Sequence, residues 1–111
     1  MAHGVSESDW RTFRDLREIA LDRFCKRVLA EVGRLSQSSS GSHHERYREV
    51  YRVICERDEE LARAFDAPRR SRMLWQLAAI YRHGLVESDE FSRFSVETRE
   101  AIESLSKELK W

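Results

Sequence analysis

Ser36-Gln37-Ser38-Ser39-Ser40-Gly41-Ser42 separates two long stretches of helical periodicity, and the reading of this break decides the fold. No side chain in it can build a core, so the stretch reads as a flexible connection. Neither flank is large enough to fold alone. The expectation is a hairpin of two helices joined by a linker over residues 36–43, not a boundary between domains.

Upstream, Trp10, Phe13, Ala20, Leu21, Phe24, Val28, Val32 and Leu35 recur at helical spacing and predict a helix over residues 9–35. Ser6 or Ser8 can cap it, and Asp9 suits its positive end. Ile19 lies off the stripe, where it is either inconsequential or a contact with a second subunit. Downstream, Tyr47, Val50, Tyr51, Ile54, Leu61, Ala62 and Phe65 predict a second helix over residues 44–65. Its other face carries Arg48, Glu49, Arg52, Glu56, Glu59, Glu60 and Arg63, with opposite charges three or four residues apart.

Asp58 interrupts the second apolar stripe, and Arg14 and Arg17 intrude on the first. In an antiparallel hairpin, residues at one level have numbers that sum to roughly 79, which sets Asp58 about one turn from Arg17. An Arg17–Asp58 ion pair fixing the register between the helices is therefore expected. The alternatives are a polar pocket for a small ligand or a catalytic carboxylate, and an exposed Asp58 with a different helix register. Breaking a buried pair by removing one partner costs several kcal/mol. The same levels place Cys25 beside Cys55, read as two partly buried thiols rather than a redox pair.

Asp66 is expected to cap a third helix, with Pro68 in its first turn. Met73, Leu74, Trp75, Leu77, Ala78, Ala79, Ile80 and Tyr81 leave that helix little polar surface, so it is either central or the face of an oligomer. His83-Gly84-Leu85 ends it, with a left-handed glycine cap and Leu85 packing back. Ser88 opens a short turn carrying Phe91 and Phe94. Ser95 caps a last helix whose Thr98, Ile102, Leu105 and Leu109 form a narrow seam. The fold class is all-α: an antiparallel bundle of four main helices, with a short extra helical turn before the last. Residues 1–111 form a single domain, with a flexible tail over residues 1–8.

The chain has 111 residues, and 20 Lys plus Arg balance 20 Asp plus Glu. A zero formal charge disfavours a general binder of nucleic acid or anionic membrane. Lysine occurs only at Lys26, Lys107 and Lys110, so arginine dominates. That bias reads either as ion-pair networks between helices or as the base composition of the genome. No stretch approaches the ~20 apolar residues that span a bilayer. Met1 to Ser8 lack the apolar core of a signal peptide, so a cytoplasmic location with reduced thiols is expected.

Motifs for chemistry are sparse. His43-His44 lacks two further ligands at metal-binding spacing, and no Gly-rich phosphate loop or nucleophile elbow occurs. No cofactor, metal or catalytic residue is assigned. Arg69, Arg70 and Arg72 open the third helix, either paired with Asp66 and nearby glutamates or forming a site for an anion or an acidic partner.

Three functions fit these residues. The first is a non-enzymatic helical module that binds another protein or a second copy as a dimer, resting on the third helix, Ile19 and the last seam. The second is DNA binding through a degenerate helix-turn-helix over residues 60–77, with Ala62 at the tight contact. The third is a small helical enzyme with Arg14, Arg17 and Asp58 lining a pocket.

Overall fold

The computed structural model describes residues 5–109, and all their regular structure is helical. α1 runs over Glu7–Gln37, α2 over His43–Phe65, α3 over Met73–Arg82, α4 over Ser88–Phe91 and α5 over Val96–Glu108. The fold is thus an all-α bundle of four main helices, with the one-turn α4 preceding the last.

Local signals set most of the ends. The Ser6 hydroxyl accepts a hydrogen bond from the Asp9 amide at 3.0 Å and starts α1. Glu7 and Ser8 are therefore helical rather than part of a tail, and Val5 packs against the core. The rest of the expected tail, residues 1–4, lies outside the described residues. Ser42 and Glu45 form a reciprocal capping box: the Glu45 amide donates to the Ser42 hydroxyl at 3.1 Å, and the Ser42 amide to Glu45 Oε1 at 2.7 Å. Gly41 has φ +75°, and a Cβ there would stand 2.9 Å from Glu45 Oε1, so the reversal needs glycine twice over.

Asp66 does not cap α3. Its amide donates to the Ala62 carbonyl at 3.0 Å and closes α2 instead. Pro68 bars the residue before it from right-handed helix. Ala67 takes φ +48°, left-handed and not the extended backbone that a following proline favours, and a single 3₁₀ turn, Arg70–Arg72, intervenes before α3. The other end of α3 follows the expected motif. Leu85 N–H bonds to Ile80 O at 3.2 Å and Gly84 N–H to Tyr81 O at 3.0 Å, with Gly84 at φ +71°. Ser95 caps α5 by accepting from the Thr98 amide at 3.3 Å.

α3 is the centre of the bundle. Met73, Leu77, Ala78, Ala79 and Ile80 are wholly buried. They join one continuous core with Phe13, Leu16, Ala20 and Phe24 of α1, Ala64 and Phe65 of α2, and Ile102 and Leu109 beside α3. Each large side chain removed from water in this way contributes about 1.5–3 kcal/mol. The α5 seam packs into the same core through Ile102, Leu105 and Leu109, while Trp75 of α3 and Val96 of α5 stay exposed.

That core fills only one end of the molecule. No residue of α1 beyond Val28, and none of α2 before Leu61, belongs to it. The remaining halves project as a two-helix arm, residues 29–60. The overall extents are 57 × 23 × 23 Å, and the radius of gyration is 16.6 Å. A compact chain of this length would have a radius of gyration of about 13 Å.

Candidate functional site

The expected ion pair between Arg17 and Asp58 does not form. The face of α2 that meets α1 carries Arg46, Val50, Val53, Arg57 and Glu60, each at least partly shielded, with Val53 buried. This face is turned by about one residue, ~100°, from the apolar stripe. Asp58 lies on the turned-out side, exposed, with no ion pair among the described residues. Arg17 instead donates Nε–H to the Phe65 carbonyl at 3.1 Å, assisted by Nη2, and its guanidinium carbon lies 6.0 Å from the Phe65 ring centroid. Its Nη1 is 3.5 Å from Glu18. Arg14 is exposed. A pocket framed by Arg14, Arg17 and Asp58 is therefore absent from the described residues.

The buried acid is Asp9, only 3% exposed. It accepts the Ser95 amide at 2.9 Å, the Ser95 hydroxyl at 2.6 Å and the Thr98 hydroxyl at 2.7 Å. Burial pushes its carboxyl upward, but these bonds outweigh burial and hold the group below the ordinary carboxylate range. A first-turn residue of α1 thus serves as a second cap for α5. The bonds that this carboxylate accepts join the first turn of α1 to the first turn of α5.

The arginines do similar work at helix ends. Arg17 satisfies the last carbonyl of α2. Arg27 donates to Gly84 O at 2.8 Å and to His83 O past the end of α3. Arg82 donates to Ser106 O near the end of α5 at 2.7 Å. Arg23 reaches Leu85 O at 2.8 Å while gripping both oxygens of Glu90, at 2.7 and 2.8 Å. A planar fork with several donors suits a guanidinium and not an ammonium. Cationic donors also oppose the negative end of each helix.

The other singled-out residues are largely spent within the chain. Arg70 pairs with Glu7, and Arg72 Nη1 donates to Asp66 O at 3.3 Å, leaving Arg69 exposed. Cys25 is half-buried, whereas Cys55 is exposed and not partly buried as its level suggested; both are free thiols. In the residue 60–77 region, Met73, Gln76 and Leu77 are buried, and burial continues through Ile80. A recognition helix needs an open face for the groove, and α3 presents its central surface to the core. No group of three or more His, Cys, Asp or Glu among the described residues could hold a metal ion.

What remains is the arm. Tyr47 is 70% exposed, Tyr51 66% and Ile54 46%. With Asp58 they stand four, three and four residues apart, the spacing of a coiled-coil seam. The stripe continues into Leu61 and Phe65, which the core covers. One apolar stripe is therefore buried at its C-terminal end and bare along the arm. Leu29 of α1, 71% exposed, adds another uncovered side chain there, while Ile19, 44% exposed, lies on α1 before the arm. Two tyrosines and an isoleucine on one helix face offer rigid contact area with hydroxyl donors at the edge, the make-up of a protein contact surface. The spacing of 47, 51, 54 and 58 was readable; what hid its role was the assumption that an apolar stripe always faces its own core. Comparison with protein-family models, with curated proteins and with solved structures finds no match to this chain.

Proposed function

We propose that this protein is a non-enzymatic helical module that works by association, with the α2 side of the arm as its contact surface. The observation that carries the reading is the bare row Tyr47, Tyr51 and Ile54 at seam spacing on a helix that projects beyond the core. Three large side chains left in water in so small a domain forgo stabilisation that a partner surface would recover. The buried Asp9 and the helix-capping arginines support the same view, since their polar groups are spent on holding the scaffold together. The expected anion site at Arg69, Arg70 and Arg72 has no second observation behind it.

A photoreactive phenylalanine analogue at position 51, introduced in cells that make the protein, tests this reading. A discrete adduct from position 51, absent when the analogue replaces exposed Glu100 of α5, is the expected result. No adduct from position 51 overturns it.

A further inference from the structure

We propose that the surface covering the arm is a second copy of the same chain, its α2 running antiparallel to the first about a two-fold axis between Tyr51 and Ile54. This rests on the association reading above and names its partner.

Most charges on the outward part of α2 are already committed: Glu45 to the Ser42 cap, Arg52 to Glu49 and Glu56, and Arg63 to Glu59. Arg48 and Asp58 have no ion pair among the described residues. The row thus carries one uncommitted cation, Arg48, before its apolar middle and one uncommitted anion, Asp58, after it. A parallel copy would set like against like. A reversed copy sets each end against its opposite, which is the self-complementarity that a two-fold contact requires.

The seam spacing fixes the register. With the axis between Tyr51 and Ile54, Tyr51 packs on the partner's Ile54, and Tyr47 stands level with the partner's Asp58. The Tyr47 phenol can then donate its O–H to that carboxylate, and Arg48 comes within reach of the partner's Asp58 and Glu59. Asp58, out of place on an apolar stripe within one chain, has two donors in the pair. Together the two arms make four helices around a new apolar layer, the smallest arrangement that covers a two-helix hairpin on its open side.

Size sets the strength. One helix face of this length falls below the ~800 Å² per partner of a standard interface, so a dimer dissociating in the micromolar range is expected.

Sedimentation velocity on the full chain, from about 1 to about 200 µM, should show the mass rising from one chain toward two. Tyr51→Glu should hold it at one chain with unchanged helicity by circular dichroism. Arg48→Glu and Asp58→Arg should each weaken the dimer at least about tenfold, and the double exchange should restore it. The charge exchange keeps the test open even if Tyr51→Glu fails to fold. One chain's mass throughout, or single charge variants that dimerise as well as the parent, overturns the antiparallel pair. A monomer that still yields a position-51 adduct with a different protein leaves the association reading standing. A monomer with no adduct removes both.

Discussion

Asp9 concentrates three hydrogen bonds from α5 on one carboxylate, across 86 to 89 residues of sequence. Asp9→Ala strands the Ser95 amide and the two hydroxyls, and should cost about 2–3 kcal/mol. Because the folded carboxyl is held low, its contribution is complete above the unfolded value of about 4 and disappears as the pH falls through the folded value. Urea unfolding should therefore show a wider gap between parent and variant at about pH 7 than at about pH 2, the remainder in acid coming from the donors that Ala strands at any pH. An undiminished gap in acid would contradict the ionic origin of the effect. The sequence made Asp9 visible as a favourable first-turn charge and nothing more. Its partners lie in the last helix, and no local pattern links positions so far apart.

Helix ends are where sequence reading worked best and where it also failed. Ser6, Gly84 and Ser95 carry their signal within four residues and are read directly, whereas Ser42 reads as linker and turns out to cap α2. The start of α3 could not, because Asp66 and Pro68 together suit a helix start as well as a break, and Ala67 took the left-handed conformation instead. Across helices the level rule brought Arg17 close to the right part of α2, but to its terminal carbonyl and not to Asp58. The rotation of α2 about its own axis decided that, and rotation is set by packing that no single stripe reveals. Arg17→Met keeps the stem and removes the donors to Phe65 O, so a loss of about 1–2 kcal/mol is expected. Asp58→Asn in the dilute monomer should change stability by less than about 0.5 kcal/mol. Equal losses from the two, measured by urea unfolding at low protein concentration, would revive the ion pair.

The molecule as a whole is a dense end and a thin one. The dense end holds the continuous core, whereas the arm is held by Val53 and ion pairs such as Arg57 with Glu31 at 3.0 Å and Glu60 at 2.8 Å. Amides near Val50–Ile54 should open at least about 2 kcal/mol more easily than those near Leu77–Ile80 in native-state hydrogen exchange of a dilute sample. Comparable protection in both regions would mean that the arm is as firmly packed as the core. The two ends also differ in when they can form. Arg57 meets Glu31 across only 26 residues, whereas Asp9 waits for Ser95 and Thr98. A chain emerging from the ribosome from its N-terminus onward has both arm helices in hand before the last latch exists.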